Sequence, residues 1–251
     1  MKSLFAFAAA LLAAASIAAH ADTLTVAVAA NMQYAFEDLR AEFKKETGHE
    51  LQPVPGSSGK LAAQIMNGAP FDVLLAADMD YPEKLHEGNF TATPPKVYAY
   101  GTLVLWTMKD LDLKQWQSVL ASPAVQKIAI ANPKTAPYGR ETIKALEHFK
   151  LGAALSPKLV FGESIAQTSQ YIHSAAADAG FTAKSVVLAP EMKGQGKWIE
   201  LPRDSYRPIA QGMVTLKHGQ QARPELVRQF NDFMASAKAR AILERYGYLL
   251  P

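Results

Sequence analysis

The chain of 251 residues has no cysteine, which excludes a disulfide framework and any thiolate metal site and leaves the fold to be held by buried core. Its six histidines (His20, His49, His86, His148, His173 and His218) are dispersed and form no metal-like pair, which argues against a histidine zinc site. Charge of one sign is also missing. Without Lys2 the 26 basic residues fall to 25 against 23 acidic ones, scattered along the chain, which is no nucleic-acid footprint. Past residue 19 no apolar stretch is long and uninterrupted enough to cross a bilayer,. The common nucleotide and hydrolase motifs are absent as well. The turn after the first predicted strand reads Ala29-Ala30-Asn31-Met32 instead of a dinucleotide fingerprint,. Residues 56–60 (GSSGK) have too short a glycine spacing for a P-loop, and Leu61 stands where a magnesium-binding Ser or Thr belongs,. No G-x-S-x-G nucleophile turn occurs,.

What is present begins at the N-terminus. After Met1-Lys2, residues 4–19 are uncharged and rich in Ala and Leu, and Ala19-His20-Ala21 supplies a small-residue cleavage pattern. Residues 1–21 therefore read as a secretory signal peptide cleaved after Ala21; the run is too short, and lacks the basic stop, for a membrane anchor. In residues 22–251, short apolar runs alternate with helical periodicities. Residues 23–30 (TLTVAVAA) predict a buried strand, followed by a helix carrying Met32, Phe36, Leu39 and Phe43 that stops at Gly48,. Residues 51–54 predict a weaker strand, 71–77 a strand buried on both faces, 97–108 a long β-type run, 158–161 and 185–188 short strands, and 164–179 a helix,. This alternation points to an α/β protein with two lobes, each a mostly parallel sheet flanked by helices. Residues 22–98 plus 210–251 are expected to form lobe I and residues 99–209 lobe II, joined by two long connections.

Small polar or turn residues recur where a strand or loop enters a helix: Asn31, Ser58, the Pro137-Tyr138-Gly139 turn and Ser164-Ile165. A helix start carries unpaired N–H groups and about half a positive charge, so it is a natural seat for an anion. Each turn alone reads more readily as an ordinary N-cap. Four in series suggest one cleft, because ligands of open α/β sheets gather at the carboxyl ends of strands. Two rival chemistries stay open at this stage. Ser57 or Ser58 could act as a nucleophile, making the protein an exported Ser58-dependent hydrolase. Asp72, Asp78 and Asp80 could hold a cation, although capping or solvated roles suit them better.

Several segments together carry a resemblance: Val26-Ala27-Val28-Ala29-Ala30-Asn31, Gly56-Ser57-Ser58-Gly59-Lys60-Leu61, Gly68-Ala69-Pro70-Phe71-Asp72-Val73, Ala77-Asp78, Pro137-Tyr138-Gly139 and Arg245-Tyr246-Gly247-Tyr248. In this order they resemble the periplasmic molybdate-binding protein family (ModA) through essentially the whole chain past residue 21. The resemblance implies a type II periplasmic-binding fold that closes on molybdate or tungstate, an ABC permease of the inner membrane as partner, a periplasmic location, no enzymatic activity and no cofactor. Any metal enters only as the centre of the oxyanion. The implied contacts are Asn31, where many members have a serine that uses side chain and main chain, Ser58 as the second serine contact, and the backbone N–H groups of Tyr138 and Ile165. Two positions depart from the family pattern. Asn31 replaces the commoner serine, and the segment after Gly180 reads Phe181-Thr182-Ala183-Lys184 where many members have a contacting tyrosine; the Ala30 N–H is the substitute proposed for it. Another oxyanion, sulfate or phosphate, remains the alternative ligand, and a monomer is expected.

Overall fold

The computed structural model describes residues 22–251; the signal peptide read in residues 1–21 lies outside the described residues. Ten strands form two five-stranded sheets. The first has the order β2 (Glu50–Gly56), β1 (Thr23–Ala29), β3 (Val73–Leu75), β10 (Ile209–Thr215) and β4 (Lys96–Gly101). The second has the order β7 (Leu159–Gly162), β6 (Ile128–Ala131), β8 (Ala179–Ala183), β5 (Leu103–Thr107) and β9 (Lys197–Glu200). β1 pairs in parallel with β2 and β3, and β6 with β7 and β8. Only β10 and β5 run against their neighbours, so each sheet is mixed, with one of its five strands antiparallel to the other four. This is the α/β architecture of two lobes that the sequence led us to expect.

The helices are α1 (Gln33–Thr47), α2 (Ser58–Met66), α3 (Asp80–Glu87), α4 (Trp116–Ala121), α5 (Pro137–His148), α6 (Gly152–Leu155), α7 (Ile165–His173), α8 (Lys184–Val187), α9 (Lys217–Ala222), α10 (Pro224–Ala235) and α11 (Ala237–Arg245). On one face of the first sheet, Phe36, Leu39 and Phe43 of α1 meet Phe230 and Phe233 of α10, with Phe43 edge-on to both aromatic rings. On the other, Leu61 and Ile65 of α2 pack with Leu74, Leu85 and Val214. The second sheet has its own core around Trp106, Trp116, Ile128, Ile130 and Phe181. Burying such side chains contributes about 1.5–3 kcal/mol each.

The element boundaries differ from the sequence reading in three places. The β-type run 97–108 is two strands in different sheets, β4 and β5, broken at Thr102. The strand expected at 185–188 lies at Ala179–Ala183, and Ser185, Val186 and Val187 belong to the short α8. Pairing of β8 with both β5 and β6 outweighs the β propensity of two valines, a tertiary override of a weak local preference. The helix expected over 164–179 ends at His173, because Ala175 takes a left-handed φ of 55° and turns the chain back into β8. The chain passes between the sheets at Thr102 and again between Glu200 and Ile209.

Asp72, weighed above as a cation ligand, is fully buried and engaged with protein. It accepts the Thr25 N–H at 2.7 Å and pairs with His218 at 2.9 Å and Arg223 at 3.3 Å. Among the described residues, no group of three or more His, Cys, Asp or Glu side chains is placed to hold a metal ion.

Candidate functional site

The carboxyl ends of β1, β2 and β6, and the turn after β7, face one another across the gap between the lobes. Ala30, Asn31, Ser58, Tyr138 and Ile165 all line one cavity there, with Ala29, Gly56, Ser57, Ala77, Ala136 and Pro137 completing the wall. None of these residues is charged. The cavity is tight, about 10 Å³, far below the roughly 300–1,000 Å³ typical of metabolite pockets. A larger hollow of about 220 Å³ beside Tyr98, Met213 and Met234 lies on lobe I and contains none of the five residues.

Each donor arises from local backbone geometry. Ala30 and Asn31 open a 3-10 turn that leads into α1. Pro137 is the first residue of α5, a position where its lack of an N–H costs nothing and its fixed φ favours the helix. Tyr138 follows, and its N–H belongs to the first turn, whose donors have no intrahelical acceptor. Ile165 starts α7 after Ser164, whose side chain caps the helix by accepting from Gln167. Gly139 lets α5 start this close to the sheet, since a Cβ there would fall 2.0 Å from the Ala131 carbonyl oxygen.

Ser58 is the side-chain donor best defined by its surroundings. Its Oγ accepts the Ala77 N–H at 2.9 Å, which uses an acceptor position and leaves the hydroxyl hydrogen free to donate. The Tyr138 hydroxyl, in contrast, extends to the crossover between the sheets, 2.0 Å from where a Cβ on Gly101 would stand. Burial raises its pKa well above the ordinary value, so the phenol is neutral.

Asn31 corrects part of the expectation. Its side-chain amide was expected to donate to a ligand, yet its Nδ2 donates to Gln211 Oε1 at 2.9 Å and to Tyr248 Oη at 2.8 Å. The neighbouring Gln211 fixes this orientation, because its own Nε2 faces the carbonyls of Ile209 and Ala77 at 3.2 and 3.4 Å. The Asn31 carbonyl in turn accepts from Ser185 of the other lobe at 2.7 Å and lies 3.1 Å from Tyr248 Oη. The main-chain N–H of Asn31 is thus the group left for a ligand. Gln211, Tyr248, Ser185 and the Ala77 N–H are contributors that sequence reasoning missed. Tyr248 sits in the terminal motif quoted above, but nothing local to it signals a partner 217 residues away.

Further contacts span the gap. Gly59 N–H reaches Thr135 O at 2.9 Å, Lys60 pairs with Glu163, and Arg140 pairs with Asp78 and, at 3.1 Å, with Asp80. Lys60 and Arg140 are therefore engaged in bridges at the rim and are absent from the cavity wall. Burial pushes the Asp78 carboxyl up to about 6 even though Arg140 pulls it the other way; desolvation of the carboxylate outweighs the pairing. Phe181 and its neighbours contribute no tyrosine, and Phe181 itself packs edge-on to Trp116 inside lobe II.

The family model described as bacterial extracellular solute-binding protein matches residues 24–249. The molybdate-binding protein ModA of Azotobacter vinelandii is 40% identical over 234 residues, covering 92% of this chain and 91% of that protein. The Rhodobacter capsulatus ModA is 36% identical over 235 residues, with 93% and 91% covered. The solved Azotobacter vinelandii periplasmic molybdate-binding protein superposes with a TM-score of 0.86 at 36% identity, covering 91% of this chain and 99% of that one. With its two sheets, its cavity at their carboxyl ends and this similarity along nearly its whole length, the chain belongs to the bacterial extracellular solute-binding proteins, in the branch formed by the ModA family.

Proposed function

We propose that this protein is a periplasmic solute-binding protein that captures molybdate or tungstate between its lobes and delivers it to an ABC importer in the inner membrane. The observation that carries the reading is the uncharged cavity wall, in which four helix or turn starts and the Ser58 hydroxyl converge from both sheets. A dianion needs donors, and a hydrogen bond to a charged partner contributes about 1.5–3 kcal/mol, so several together meet the roughly 8 kcal/mol of micromolar capture. Ala30, Asn31, Ser58, Tyr138 and Ile165 are the proposed contacts, with Ala30 supplying a main-chain N–H. A wall of donors suits an anion that is fully deprotonated near neutrality, as molybdate, tungstate and sulfate are, over one that retains a proton and wants an acceptor, as phosphate does. The expected lobe bounds, 22–98 plus 210–251 and 99–209, shift by a few residues to the crossings at Thr102 and between Glu200 and Ile209; the protein acts as a monomer, and the leader is removed after Ala21.

The hydrolase reading lacks a base: no histidine, lysine or carboxylate lines the cavity beside Ser58, and activation of a serine needs one. Titration calorimetry and thermal melts of residues 22–251 with the four anions test the assignment. Molybdate and tungstate are expected to raise the melting temperature with concentration, as ligands of the folded state do, with sulfate and phosphate doing much less. Equal shifts from all four, or none from molybdate, would overturn it.

A further inference from the structure

Ser57 is the first residue of the Ser-Ser pair, and none of the contacts proposed above uses it. It occupies the N-cap position of α2 in extended backbone, with φ −73° and ψ 146°. Serine at that position ordinarily accepts the N–H two or three residues on, as Ser164 does for α7 and Ser236 for α11. Ser57 makes no such bond. One of the two N–H groups it would take, that of Gly59, is directed across the gap to Thr135 O. The Ser57 side chain is left in the cavity wall, 4% exposed, with an Oγ that is buried and has no hydrogen-bond partner.

A buried hydroxyl without a partner is costly. The partner that would satisfy this one is an acceptor in the cavity, which is what an oxyanion supplies. We infer that the Ser57 hydroxyl is a further direct donor to the bound oxyanion, released from its capping role when Gly59 bonds to the opposite lobe. The inference rests on the oxyanion-binding reading and adds a contact to it. It also gives closure a condition: lobes that meet around an empty cavity strand the Ser57 hydroxyl, whereas lobes that meet around an anion do not.

Calorimetric titration with sodium molybdate of the wild-type chain and of Ser57→Ala, Ser57→Thr and Ser58→Ala tests this, alongside melting curves of each without anion. Ser57→Ala is expected to raise Kd about ten- to a hundredfold, the range of one charge-assisted hydrogen bond, and Ser57→Thr, which keeps the hydroxyl, to restore most of the affinity. A Ser57→Ala protein that melts lower but keeps the wild-type Kd would overturn the inference and return the hydroxyl to a purely capping role. Wild-type protein that binds no molybdate would instead remove the functional reading itself, while a loss in Ser58→Ala with none in Ser57→Ala would remove this inference alone.

Discussion

Ser58 shows how one backbone contact defines a donor. Because Ala77 N–H occupies its oxygen, the hydroxyl hydrogen has no competing role, and Ser58→Ala is expected to weaken molybdate binding by about 1.5–3 kcal/mol. Tyr138→Phe is expected to leave affinity nearly intact, since the hydroxyl lies at Gly101 and the proposed contact is main-chain; a large loss in calorimetry would mean that the phenol reaches the anion. Asp78 gives a pH signature. Its folded pKa of about 6 exceeds the unfolded value near 3.9, so the folded protein takes up a proton at a pH where the unfolded chain does not. Its contribution is therefore most favourable at low pH and is lost as pH rises through about 6. Melting curves of wild type and Asp78→Asn between pH 7 and 5 should diverge in favour of wild type as pH falls, by at most about 1.4 kcal/mol per pH unit. A constant difference would show that Asp78 does not titrate in this window.

At the scale of elements, the site depends on how closely helices can start against strands. Gly139 is the tightest case: the atom that a Cβ would meet is a backbone oxygen of β6, which cannot swing aside as a flexible side chain can. Gly139→Ala is expected to shift the start of α5, lower stability by about 1–3 kcal/mol as an overpacking change, and weaken binding by moving the Tyr138 N–H. Paired melting and titration would show whether both losses occur together; unchanged binding would place Tyr138 outside the donor set. The elements most legible in the sequence were those with strong periodicity and buried length, such as β1 and α1. Those least legible were short: β9 and α8 have four residues each, too few for periodicity to separate strand from helix, and pairing decides their state.

At the scale of the molecule, the two lobes touch directly beside the cavity. Gly59 to Thr135, Lys60 to Glu163, Arg140 to Asp78 and Ser185 to Asn31 all join one lobe to the other. The Lys60 and Glu163 side chains are 47% and 69% exposed, so their bridge is worth little, and a bound anion that bridges the lobes adds to the preference for closure only through its differential affinity for that form. Small-angle scattering is expected to show a smaller radius of gyration with saturating molybdate than without, as the lobes hinge about the two crossovers. An unchanged radius at proven saturation would point to a cleft that is already closed.

What the sequence determined by itself is what depends on neighbours along the chain: the α/β alternation, the helix starts at Asn31, Ser58, Tyr138 and Ile165, and the glycines that such starts require. These are set by periodicity, capping preference and backbone sterics, all of which act within a few residues. The tertiary structure alone decided which groups face the cavity. Asn31 turned its amide toward Gln211 and Tyr248, 180 and 217 residues away, and Ser58 gained its orientation from Ala77. Ser57 makes no cap, and the Gly59 N–H within its reach bonds instead to a carbonyl from the other lobe. Hydrogen bonds between groups far apart in sequence form only once two sheets are folded and brought together, and residue identity carries no record of which donor will still be free when they are.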